Sequence, residues 1–167
     1  MQMPAKVKKV WDAVTTAIVI LVALLAILLV GARLFGLQVY SVMSGSMEPK
    51  YPVGSLIYVR SVDYKTLQPG DVITYRLNKT TISTHRIVQV LTEDGYRFIT
   101  KGDTNDDPDS APVHANDIIG TPVTAIPLLG YVAFYIQRPP GLYIAIAAGA
   151  ILALLVFLPD LLWKPST

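Results

Sequence analysis

Residues 13–32 are twenty consecutive amino acids without a charge, and this run narrows the folds open to the chain. A helix rises about 1.5 Å per residue, so roughly 20 apolar residues cover the hydrocarbon core of a bilayer. A secretory signal peptide has an apolar core of only about 7–15 residues and a small-residue cleavage site. Here the run is longer and continues into Arg33-Leu34-Phe35. It reads as a retained anchor, with a buried core helix as the competing reading. A second run, residues 141–158, is eighteen residues long and is bounded by Pro139-Pro140 and Pro159. Charged residues make up 16% of the chain, against about 25% in ordinary soluble domains, because apolar residues concentrate in these two runs.

The expected organisation is a cytoplasmic N-terminus (1–12), a transmembrane helix (13–36), an extracytoplasmic β domain (37–138), a second transmembrane helix (139–159) and a cytoplasmic tail (160–167). Lys6, Lys8 and Lys9 precede the first run, with no acidic residue before Asp12. Positive charge beside a first span favours the cytoplasmic side. This makes the chain a multi-pass cell-membrane protein with its middle segment outside and Lys164 back in the cytoplasm. Trp11, Phe35, Tyr40, Tyr135 and Trp163 fall near the expected lipid–water boundaries, where aromatic rings are favoured. A net charge of +2 gives no argument for nucleic acid, and without cysteine there is no disulfide framework.

The middle segment is long enough for one domain with a modest core. Residues 38–43, 55–59, 72–76, 81–91, 96–100 and 118–126 are rich in β-branched and aromatic residues and read as strands. Turn signals separate them: Tyr51-Pro52-Val53-Gly54, Gln68-Pro69-Gly70-Asp71 and the hairpin signal Glu93-Asp94-Gly95. Such spacing predicts a mainly antiparallel β domain between the two transmembrane helices. In residues 81–91, strict alternation puts Ile82, Thr84, Arg86, Val88 and Val90 on one face and Ser83, His85, Ile87 and Gln89 on the other. Residues 127–137, apolar and aromatic, are expected on the sheet or at the lipid surface.

Close behind the anchor comes Ser44-Gly45-Ser46-Met47-Glu48-Pro49. Glycine permits a tight turn and proline fixes φ, so a hydroxyl here can be exposed, fixed in direction and close to free backbone N–H groups. A nucleophilic serine needs that setting; a plain Ser/Gly linker is the other reading. The hydroxyl also needs a base. Of the two histidines, His85 lies on a strand and His114 in a proline-containing loop. A strand fixes a side chain better than a loop, which favours His85 over His114 as the base; a packed or surface histidine is the other reading. The stretch Lys101-Gly102-Asp103-Thr104-Asn105-Asp106-Asp107-Pro108-Asp109 supplies four carboxylates after the partner strand, any of which can orient an imidazole. Asp103, Asn105, Asp107 and Asp109 alternate as in an EF-hand loop, but Pro108 stands where that loop has glycine and His114 where it has glutamate. A calcium loop and a solvated turn remain the alternatives.

Together these segments resemble the type I signal peptidase family. The Ser44–Pro49 box follows the anchor, then come Thr84-His85-Arg86, Lys101-Gly102-Asp103, Ile118-Ile119-Gly120 and Ile126-Pro127-Leu128-Leu129-Gly130-Tyr131, in the family's order across residues 37–131. His85 stands where ordinary bacterial members have a lysine, which resembles the endoplasmic-reticulum-type branch, also found in archaea and some Gram-positive bacteria. The resemblance implies a membrane-bound serine endopeptidase that removes signal peptides from secreted preproteins at the outer membrane surface. It implies Ser46 as nucleophile, His85 as general base, and Asp109 and Asp103 as the branch's two acidic residues, with Asp109 orienting His85. Ser44 and the Ser46 N–H would form the oxyanion hole. Val42 and Ile57 are candidates to line small substrate pockets. No cofactor and no metal are expected; the partners are preproteins and the bilayer, with further subunits left open. Two other readings stand beside it: a non-catalytic membrane-tethered β module that binds a partner protein, and a Ser-Lys enzyme using Lys79.

Overall fold

The computed structural model describes residues 4–162; Trp163 and Lys164 lie outside the described residues. The chain forms two compact units, one built on helices α1 and α3 and the other spanning Ala32–Phe134.

In the helical unit, α1 (Ala5–Val30) starts earlier than the charge-free run. Pro4, which has no N–H to leave unpaired, stands at its N-terminus, and nothing between Lys6 and Asp12 breaks a helix. The chain then tightens into a 3₁₀ segment, Gly31–Phe35. Ala5–Phe35 is long and apolar enough to cross a membrane. Helix α3 (Gly141–Leu162) meets that test only when counted with the preceding α2 (Leu129–Ile136) across a break. Within this unit the Trp11 indole donates to the Leu155 carbonyl at 3.1 Å. Pro159, four residues further on, has no N–H to offer that carbonyl.

The second unit is a curled antiparallel sheet of seven strands: β1 (Leu37–Ser41), β2 (Leu56–Arg60), β3 (Val72–Arg76), β4 (Ile82–Leu91), β5 (Arg97–Lys101), β6 (Val113–His114) and β7 (Ile118–Ile126). Their order is β1-β2-β7-β3-β4-β5-β6. Alternation along β3 sends Val72 into one apolar cluster, with Met47, Tyr51, Ile57 and Val59, and Ile73 and Tyr75 into another, with Ile87 and Phe98. The turn after β1 is therefore anchored by its own residues: Met47 is 2% exposed.

Two expectations change. The loop expected around His114 contains the two-residue strand β6, where Val113 pairs with Phe98 and His114 with Arg97. Strict alternation in β4 fails because the register slips between Ile87 and Gln89. The extra residue there puts Val90 on the same core cluster as Ile87 rather than opposite it. Residues 129–136 form helix α2, with Gly130 and Ala133 buried. It sits so close to the turn before β2 that a Cβ on Gly54 (φ +81°) would lie 1.9 Å from the Tyr131 ring.

Candidate active site

Ser46 follows β1 on a turn closed by Glu48 N–H to Gly45 O (3.0 Å) and Tyr51 N–H to Met47 O (2.9 Å). His85 lies mid-strand on β4, opposite Ile73 of β3. Asp109 lies in the loop between β5 and β6, its N–H bound to Thr100 O at 2.7 Å. These segments meet at one point. The Ser46 Oγ is 3.2 Å from His85 Nε2, and His85 Nδ1 is 2.6 Å from Asp109 Oδ2. A carboxylate accepts only, so Nδ1 carries the hydrogen there and the Nε2 lone pair faces the serine O–H. Ser44 Oγ lies 3.3 Å from Ser46 Oγ.

The other candidates separate. Arg86 Nε and Nη2 donate to the two oxygens of Asp103 at 2.8 and 2.7 Å, so that carboxylate serves a guanidinium and not the imidazole. Because Asp103 and Asp109 turn to different partners, the alternating acidic residues do not converge as calcium ligands. Lys79 sits exposed in the β3–β4 turn, and His114 is on β6. Val42 and Ile57 both line a cleft of about 370 Å³ beside Ser46, together with Tyr40, Met47, Ile82 and Thr84. Ile57 is only 2% exposed, which makes it floor rather than wall.

The acidic loop also holds the serine turn. Thr104 N–H donates to Ser46 O at 3.0 Å, and Thr104 Oγ1 to Gly45 O at 3.1 Å. Gly102 makes this approach possible, since a Cβ there would meet Ser46 O at 2.8 Å.

Two residues that the sequence reading passed over as plain strand residues reach the site. Tyr75 OH donates to Asp109 Oδ2 at 3.0 Å, and Thr100 Oγ1 donates to the same oxygen at 2.5 Å. Tyr75 pairs with Ser83, and Thr100 with Ile87, so both are diagonal neighbours of His85 on its own face. Only the cross-strand register contains that signal.

Burial pushes the Asp109 carboxyl up, but hydrogen bonds from Thr100, His85 and Tyr75, with the His85 charge, outweigh it and hold the carboxyl below its ordinary value. The hydrogen bonds from Arg86 likewise hold Asp103 low. Burial raises the Tyr75 hydroxyl, which therefore stays a donor. Carboxyls depressed in the folded state stabilise it above the unfolded value of about 3.9 and lose that contribution as pH falls through the lower folded values. Denaturant midpoints should therefore fall as pH drops below about 4, and the Asp103→Asn variant should show a shallower fall. An unchanged slope in that variant would mean that the Arg86 pair contributes nothing.

Comparison with known proteins decides the family. The model described as signal peptidase, peptidase S26, matches residues 13–122. The chain belongs to this signal peptidase family. Signal peptidase I W of Bacillus subtilis (strain 168) is 49% identical over 86 residues, which is 50% of this chain and 45% of that protein. The signal peptidase complex catalytic subunit sec11 of Penicillium rubens is 33% identical over 111 residues, 60% of this chain and 63% of that one. The signal peptidase complex catalytic subunit SEC11C of Rattus norvegicus is 26% identical over 117 residues, 64% and 61% of the two chains. The match thus spans from about half to under two thirds of these relatives. A bacterial signal peptidase I beside fungal and rat catalytic subunits fits the endoplasmic-reticulum-type branch of the signal peptidase family that the sequence resembles.

Proposed function

We propose that this chain is a membrane-bound serine endopeptidase that removes signal peptides from secreted preproteins. The observation that carries the reading is the continuous line of hydrogen bonds Ser46 Oγ–His85–Asp109 in a member of the signal peptidase family. His85 Nε2 takes the Ser46 proton as Oγ attacks the scissile carbonyl. Asp109 holds the tautomer and stabilises the imidazolium. The Ser46 N–H and the Ser44 hydroxyl receive the oxyanion. His85 then protonates the leaving amine, and water, deprotonated by the same nitrogen, releases the acyl-enzyme. Asp103 acts at one remove, holding its loop through Arg86. The cleft over Val42 and Ile57 takes small side chains beside the cut.

Two spans complete the proposal. Residues 13–36 and 139–159 cross the bilayer, the N-terminus is cytoplasmic and the sheet lies outside. Few residues separate Leu37 from Ser44, so the nucleophile works near the lipid surface. Enzyme and signal sequence held in one membrane meet at raised effective concentration.

The test is cleavage of a purified preprotein in detergent by the purified full chain, with Ser46→Ala, His85→Ala, Lys79→Ala and the exposed control Asp94→Ala. Cleavage that survives Ser46→Ala removes the Ser46 mechanism, and no cleavage by the unmutated chain favours the binding module. Loss in Lys79→Ala with retention in His85→Ala moves the base to lysine. Ser44→Ala should lower kcat by roughly 10²–10³, the cost of one oxyanion donor, with KM little changed; wild-type kcat would take Ser44 out of the oxyanion hole.

A further inference from the structure

Three donors converge on a single oxygen of Asp109. His85 Nδ1 lies 2.6 Å from Oδ2, Thr100 Oγ1 2.5 Å and Tyr75 OH 3.0 Å. Thr100 is 0% exposed and Tyr75 2%, so neither hydroxyl draws on bulk water. The Thr100 hydroxyl also lies 3.3 Å from Tyr75 OH. Its one hydrogen goes by the shorter contact to the carboxylate, and so does the single hydrogen of Tyr75. Thr100 grips Asp109 twice, since its carbonyl also accepts the Asp109 N–H at 2.7 Å. The two hydroxyls come from strands on either side of β4, Tyr75 from β3 and Thr100 from β5. A carboxylate in a loop is thereby tied to the sheet that carries the histidine.

We propose that Thr100 and Tyr75 are positioning residues: their hydroxyls fix Asp109 Oδ2 in line with His85 Nδ1 and so keep Nε2 turned toward Ser46. This rests on the protease reading above. A side chain in a loop has rotamers to choose from, and two hydrogen bonds to an ionised oxygen select one. Neither residue lines the cleft beside Ser46; Thr100 reaches His85 only through Asp109, and although Tyr75 OH also lies 3.4 Å from His85 Nδ1, the hydrogens of both atoms go to Asp109 Oδ2.

The measurement is steady-state preprotein cleavage by the full chain carrying Thr100→Val, Tyr75→Phe or Thr100→Ser, each also combined with Asp109→Ala, which leaves no acceptor for the two hydroxyls to hold. Thr100→Val keeps the shape and the main-chain bond and removes only the hydroxyl. It should lower kcat about ten- to a hundredfold, what a hydrogen bond to a charged group is worth, with KM unchanged. Tyr75→Phe, with the longer contact, should cost less, and Thr100→Ser should restore most of the rate. In the Asp109→Ala background neither change should cost anything further, because residues that act through one group are not additive. A purely structural role predicts the same loss in both backgrounds, and that result overturns the proposal. So does wild-type kcat in Thr100→Val. Should Thr100→Val not fold, Tyr75→Phe and its combination with Asp109→Ala carry the same comparison. If Ser46→Ala stays active, the Ser46–His85–Asp109 mechanism itself falls; if Ser46→Ala is dead while Thr100→Val matches wild type, only this inference does.

Discussion

Ser46→Ala will reduce preprotein cleavage to background, a fall in kcat on the order of 10⁶ by comparison with other serine hydrolases stripped of their nucleophile. No neighbouring group is placed to substitute. Ser44 is the nearest hydroxyl, but its oxygen is 3.3 Å from Ser46 Oγ, and in the proposed mechanism it faces the oxyanion. The fold will survive the change, because Met47 and Tyr51 anchor the turn in the core and the turn's backbone bonds need no serine side chain. A melting temperature near wild type with cleavage lost is thus the expected pair of readings. Cleavage that persists with a single burst of acyl product would point to another nucleophile and end the assignment.

Asp109→Asn will lower kcat by about 10⁴, the effect expected when the group behind a catalytic imidazole loses its charge. Asparagine keeps the shape. Its carbonyl can still accept from His85, Thr100 and Tyr75, but it no longer stabilises the imidazolium that forms as Ser46 is deprotonated. If instead its amide nitrogen turns toward these partners, donors face donors. KM should change little, since the cleft beside Ser46 is lined by other residues. Asp103→Asn provides the contrast: its carboxylate is bound by Arg86, so its loss loosens the loop and should cost less than the Asp109 change. Equal losses in the two variants would show that the acidic loop acts as one structural unit and that Asp109 has no distinct part.

The sheet was legible because its strands are short, β-branched and separated by glycine and proline turns. The readings around β2, β3, β4, β5 and β7 fall within a residue or so of the strands found. What escaped had no local signal. Strand β6 is two residues long and exists only because Phe98 and Arg97 offer it an edge. The slip after Ile87 leaves no trace in composition, yet it decides which side Val90 faces. In the site, the serine box and the strand histidine stand out by residue type and place. The carboxylate does not: four acidic residues share one loop, and spacing alone cannot say which turns inward. Tyr75 and Thr100 are invisible without pairing, since each lies two positions along a neighbouring strand from His85.

Strand β7, the last of the sheet in sequence, lies in its middle, between β2 and β3. It divides the half that leads into Ser46, β1 and β2, from the half that bears the His85 imidazole and the Asp109 carboxylate. Until the chain has been synthesised through Ile126, those halves have no seam to close on. On the proposed mechanism, a chain assembled in this way is born inert and acquires its cutting power only once its last strand is in place.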